Sequence, residues 1–163
     1  GITIGTPNDR YINDAQVAQA VAQMWARIGI ETEIDASTAS TFFSRRNAFE
    51  FSAYLAGWGA GTGEMSSPLR ALLATRNPDL GLGGTNRGQY SNPEMDAVLV
   101  EALRTVDDTA RQELLRKASR MAMDDYAIIP LHYEVTPWAM RAGLDYTPRA
   151  DQYTLPYLIR PVE

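Results

Sequence analysis

Hydrophobic positions along this chain change period several times, and each change marks an element. "GITIGT" (1–6) alternates apolar and small residues, as a short strand does. After Asn13 and Asp14, both good N-cap residues, Val17, Val21, Met24, Trp25 and Ile28 recur at i, i+4, i+7, i+8 and i+11 on one helical face. Gln16, Gln19, Gln23 and Arg27 share the opposite face, and Gly29 suits a helix end. "IETEID" (30–35) then alternates strictly, with Ile30, Thr32 and Ile34 set against an acidic, solvated Glu31, Glu33 and Asp35. Strand, helix and strand in about 35 residues predict a parallel βαβ unit with a right-handed crossover.

The later pattern extends this alternation. "STASTFFSRRNA" (37–48) fits a helix with Phe42 and Phe43 packed and Arg45 and Arg46 exposed. "FEFSAYLAGW" (49–58) alternates as a third strand. Ser66 or Ser67 can cap a helix through Ala74, with Pro68 in its first turn, and 76–88 is a loop by composition. Asn92-Pro93 opens a helix burying Met95, Val98, Leu99, Ala102 and Leu103. Asp107 or Asp108 caps another, with Leu114, Leu115, Ala118, Met121 and Ala122 inside. "AIIPLHYEV" (127–135) reads as a fourth strand, with Pro130 at an edge or kink and His132 packed. The predicted strands lie near 2–5, 30–36, 49–57 and 127–134. Beyond Thr136 prolines and tyrosines follow without a period.

One stretch resists a purely structural reading. "AGWGAGTGEM" (56–65) sets Trp58 among Gly57, Gly59, Gly61 and Gly63. It is no phosphate loop: from Gly57, Gly59 or Gly61 the sixth position is Thr62, Glu64 or Ser66, and no Lys follows the last glycine. Trp58 is then either core or part of a ligand surface. Glu64 either complements a helix N-terminus or touches a ligand. Trp25, on an apolar stripe, reads as core.

Composition narrows the function classes. The 163 residues are enough for one domain with a core, and 45% hydrophobic with 21% charged residues is ordinary for a globular protein. A net charge of −5 argues against a nucleic-acid partner. Without Cys, and with His132 alone, there is no thiol nucleophile and no His-rich metal site. No apolar run approaches the roughly 18–20 residues of a membrane span. Ser66, Ser67 and His132 lack a nucleophile signature such as G-x-S-x-G, and pairing Glu64 with Asp124 or Asp125 would be arbitrary. No enzyme activity, catalytic residue, cofactor or metal is therefore expected. A hydrolase is the weakest alternative; a ligand-sensing domain of a regulator is another. Because the chain does not begin with Met, it reads as a processed or excised piece whose signal would lie upstream of Gly1.

The order of "AQMWARIGIETEI", a Phe-rich strand ending in "GW", "YSNPEMDAVL" and "RQELLRKASRMAMDDYAIIPLHY" resembles the C-terminal lobe of the dipeptide-, oligopeptide- and nickel-type (family 5) solute-binding proteins of ABC importers. The resemblance covers roughly residues 1–140. It implies an α/β fold: one lobe of a type II periplasmic-binding-protein-like clamshell, with a mixed sheet and flanking helices. Residues 1–140 would form the ligand-binding lobe, and 141–163 a C-terminal tail returning to the other lobe of a longer parent. Alone, that tail would fray, fold back, or make a swapped or strand-paired dimer. The implied role is capture of a peptide or peptide-like solute for ABC permease subunits. The implied location is periplasmic or extracellular, with a possible lipid anchor at the parent's N-terminus. In the resembling family the loop after Gly-Trp lines the cleft, which implicates Trp58, Gly59, Ala60, Gly61, Thr62 and Glu64. Peptide-binding members often carry an Asp three residues after that Trp, paired with the ligand's ammonium; here Gly61 stands there. Either the ligand lacks an amine at that place, the reading we favour, or Glu64 reaches it.

Overall fold

A computed structural model describes residues 1–162. Strand β1 (Ile2–Pro7) lies between β2 (Thr32–Ser37) and β3 (Ala53–Tyr54), and all three are parallel. Ile2 faces Thr32 and Pro7 faces Ser37; Ile4 and Gly5 face Ala53 and Tyr54. Helices α1 (Asp14–Ala26) and α2 (Ala39–Asn47) make the crossovers. This is the expected α/β arrangement with flanking helices. Within it the sheet is wholly parallel, and the antiparallel pairing lies in a separate ribbon.

Local chemistry sets the ends of α1. Asn13 takes a left-handed conformation (φ 55°) and its side chain does not cap the helix. The buried carboxylate of Asp14 instead accepts the N–H groups of Arg10 and Tyr11 at 3.0 Å and of Ala15 at 2.9 Å. That ties the helix start to the loop after β1. Gly29 ends this region at φ 82°, where a Cβ would be strained. The buried stripe is rotated from the expected one. Ala18 is buried and Val17, Val21 and Trp25 are partly so, while Met24 and Ile28 are exposed. The sheet has only three strands, and the small Ala18 is the apolar residue of α1 buried most deeply.

The other crossover is aromatic. Phe42 is fully buried, stacked on Phe51 (centroids 5.7 Å apart) and tilted against Phe43 (5.2 Å). A Cβ on Gly5 would fall 2.4 Å from the Phe51 ring, so β1 must be bare where the ring crosses it. Arg45 and Arg46 are not free surface charges as expected. Arg45 pairs with Asp35 and Glu50, each at 2.7 Å, and lies over Phe51; Arg46 lies over Phe43 and Tyr54. The guanidinium groups themselves lie against the ring faces, and the Arg46 Nε is buried there.

A second core joins Leu69, Leu73, Ala74, Leu82, Met95, Leu99, Ala102, Leu115, Ala118 and Ala122. The turn α3 (Ser66–Pro68) runs into a π-type segment, Leu69–Leu73. Helices α4 (Pro93–Arg104) and α5 (Asp108–Asp124) start where expected. Asn92 Oδ1 accepts the Met95 N–H at 3.0 Å, and Asp107 Oδ1 accepts that of Ala110 at 2.8 Å. Asp125, just past α5, accepts bonds from Tyr90 (2.6 Å) and Asn92 (2.7 Å), pinning the end of one helix to the start of the other.

The expected strand at 127–134 does not form. The segment is extended but unpaired, Ile129, Tyr133 and Val135 are 64%, 98% and 81% exposed, and His132 is exposed rather than packed. A strand needs a neighbour, and this segment pairs with none of β1, β2 and β3; Pro130 lacks a donor N–H. The third strand is likewise far shorter than 49–57. Phe49 is left-handed (φ 61°), and the glycines begin soon after Tyr54. Beyond, β4 (Leu144–Tyr146) and β5 (Ile159–Pro161) form the antiparallel ribbon. Buried Tyr146 lies tilted against Trp138 and donates to the Tyr153 carbonyl at 2.8 Å.

Phe42→Ala should cost about 3–5 kcal/mol of stability by emptying the aromatic crossover. Urea unfolding followed by circular dichroism checks this. A cost under about 1 kcal/mol would show that the Phe42–Phe51 stack does not hold the sheet.

Candidate ligand-facing loop

Because β1, β2 and β3 point the same way, their C-terminal ends share one edge of the sheet. Open α/β sheets hold ligands outside that edge. Two loops meet there, 8–13 after β1 and 55–65 after β3. They touch where Gly57 passes Tyr11: a Cβ at Gly57 would lie 2.8 Å from the ring, so only glycine allows the approach.

The 55–65 loop then runs open. Nothing lies within 4 Å of the Cβ positions of Gly59, Gly61 or Gly63. Trp58 is 44% exposed, and its Nε1–H donates to Ser67 Oγ at 3.1 Å. The indole is therefore oriented by a hydrogen bond and offers a face to solvent. Ala60 accepts the Gly63 N–H at 2.8 Å, closing a turn, and Thr62 Oγ1 accepts the Glu64 N–H at 3.3 Å. The loop thus presents one flat aromatic surface and bare peptide groups.

Glu64 ends the loop in an ion pair. Arg111 donates to its carboxylate through Nε and Nη2, the latter at 3.0 Å, and Ser66 Oγ donates at 2.6 Å. Arg111 Nη1 also donates to the Ala102 carbonyl at 2.7 Å. The Arg111 hydrogen bonds, then that of Ser66, hold the Glu64 carboxyl down at about 2, against a smaller opposing effect of burial. The same pairing raises Arg111 above its usual value.

All six residues singled out in the sequence, Trp58, Gly59, Ala60, Gly61, Thr62 and Glu64, lie in or end this one loop. Two residues in contact with it were not foreseen. Tyr11 sits in the turn between β1 and α1, and Arg111 is one arginine among several on the polar face of α5. Only the acidic helix start beside Arg111, Asp107-Asp108, sets it apart in the sequence. Ser66 and Ser67 are engaged by Glu64 and Trp58, and His132 lies on the unpaired 127–135 segment. Among the described residues no group of three or more His, Cys, Asp or Glu could hold a metal, and no helix is long and apolar enough to cross a membrane.

Residues 1–79 match the family described as bacterial extracellular solute-binding proteins, family 5 Middle. The periplasmic oligopeptide-binding protein OppA of Salmonella typhimurium is 30% identical over 129 residues, covering 76% of this chain and 22% of its own length. The oligopeptide-binding protein OppA of Bacillus subtilis is 28% identical over 131 residues, covering 80% and 23%. The structure of HbpA2 from Haemophilus parasuis superposes with a TM-score of 0.74 at 19% identity, over 99% of this chain and 32% of that one. The chain spans under a quarter of the length of these curated relatives.

The depressed Glu64 carboxyl makes a signed prediction. A carboxyl held at about 2 in the fold against an ordinary 4.5 contributes stability that is complete above 4.5 and is lost as pH falls from 4.5 toward 2. The melting-temperature difference between the unmodified chain and Glu64→Gln should be constant from neutral pH to 4.5, then shrink. A difference unchanged down to pH 2 would contradict the pairing.

Proposed function

We propose that this chain, whose residues 1–79 match the family 5 extracellular solute-binding proteins, is one lobe of a clamshell that captures a peptide or peptide-like solute for an ABC importer. The observation that carries this reading is the half-exposed Trp58 beside open glycine backbone, at the sheet edge where α/β folds hold ligands. An indole face suits an apolar side chain. Free peptide groups suit the donors and acceptors of a peptide backbone. The role is capture without chemistry.

One lobe gives one wall. A second lobe supplied by the rest of a longer protein would complete the site, closing by rotation of two bodies about connecting strands. In this reading residues 1–140 are the lobe and 141–163 the tail that reaches the other lobe, which accounts for Tyr153 and Tyr157 at 68% and 75% exposure. The protein works outside the cytoplasm, in the periplasm or held by a lipid anchor, and hands its ligand to permease subunits. Gly61 carries no charge, and Glu64 is occupied by Arg111 and Ser66. Both favour a ligand with no free amine at this point of the wall.

Small molecules released on denaturing the intact protein, identified by mass spectrometry, should be peptides or peptide-like compounds. Recovery of sugars or metal complexes alone would contradict the proposal. The recovered compound should bind the 163-residue chain about a thousandfold more weakly than the intact protein in calorimetry, since pockets bury 70–90% of a ligand and one wall buries roughly half of that. Equal affinities would sink the two-lobe reading.

A further inference from the structure

We propose that Glu64 and Arg111 form a latch that fixes where the 58–63 loop stands, which makes Arg111 a positioning residue for the ligand wall. The significance for binding rests on the proposed function; the latch itself does not.

Between Tyr54 and Ser66 the chain has neither ladder nor helix to order it beyond one further sheet bond, from the Leu55 N–H to the Gly5 carbonyl at 2.9 Å. Glycine loses the most conformational freedom when held, and four of these positions are glycine. Packing does not hold the open part, because Gly59, Gly61 and Gly63 face empty space. Something else must give the loop a place. At its start, Gly57 is seated on Tyr11 and Trp58 is bonded to Ser67. At its end, the tie is Glu64.

That tie differs from an ordinary surface pair. The side chains of Arg111 and Glu64 are only 21% and 30% exposed, whereas those of Arg116 and Glu113, paired along one helix, are both 64% exposed. Exposed pairs of that second kind contribute little. Two guanidinium nitrogens of Arg111 engage the carboxylate, so direction is fixed as well as distance. The third bonds the Ala102 carbonyl near the end of α4. The arginine therefore joins the end of one helix, the start of the next, and the loop. The second core is the packed cluster against which the loop is set. The pairing also cancels the loop's one formal charge, leaving an uncharged wall.

Backbone 15N relaxation on the full chain tests this without any ligand, so a failed latch would leave the functional proposal standing, and the reverse. In the unmodified chain the amides of Gly59, Gly61 and Gly63 should show order parameters near about 0.85, as in ordered backbone. In Glu64→Gln and in Arg111→Met they should fall below about 0.6, while the amides of α4 and α5 hold their values. Combining both substitutions should disorder the loop no further than Arg111→Met alone. Arg111→Lys, which keeps the charge and loses the fork, should fall between. The proposal is overturned if the glycine amides are already mobile in the unmodified chain, if neither variant moves them, or if the helices lose order in step with the loop.

Discussion

Strand β1 is hydrogen-bonded in parallel on both sides, and the rest of the arrangement follows from that constraint. Parallel neighbours force the chain to return to the starting edge after each strand, which is the work of α1 and α2. Both flanks of β1 are filled, so no later segment can join it. All three strands also end on one edge, so the loops after β1 and β3 have to meet. Gly5 beneath Phe51 and Gly57 beside Tyr11 are where this crowding leaves no room for a side chain.

The molecule has two cores with different chemistry. One is aromatic, with Phe42 and Phe51 set against β1; the other is built from leucine, methionine and alanine between helices. The 55–65 loop is the covalent bridge between them, supplemented by the bond from Arg87 to Asn47 at 2.9 Å. A loop in that position feels the relative placement of both cores. Its Trp58 is bonded to Ser67 at the start of the second core, and Glu64 is paired with Arg111 inside it. A loop made this way can be bare of side chains and still have a defined place. Glycine loops usually give up definition for access; here the ends supply what the middle lacks.

What was legible in the sequence divides by the range of the interactions involved. Helices α4 and α5 declare themselves through Asn92-Pro93, Asp107 and a regular apolar period, all read within four residues. The β1–α1–β2 unit is nearly as clear. The 127–134 run looks like a strand because its residues favour one, yet strand formation depends on a partner that local sequence does not supply. Arg45 and Arg46 read as solvated because period alone says nothing of aromatic rings that arrive from 51 and 54. Asn13 and Asp14 are equally good caps by type, but Asp14 is the one the preceding turn buries. At the site, the tryptophan among glycines was conspicuous in composition. Arg111 was not, because its partner lies 47 residues away. The exposure of Trp58 likewise depends on how the sheet edge is built, and no periodicity reports that.

The claim at the centre of this account is that the loop after β3 faces the bound solute. Photo-crosslinking reads that directly. A library of short peptides carrying a benzophenone side chain would be incubated with the intact protein, irradiated, and the adducts located by peptide mass mapping. Adducts within this chain should concentrate at residues 57–63, with Trp58 prominent. Adducts spread over the outer face of α5 or the 144–161 ribbon, with residues 57–63 unlabelled, would contradict the account.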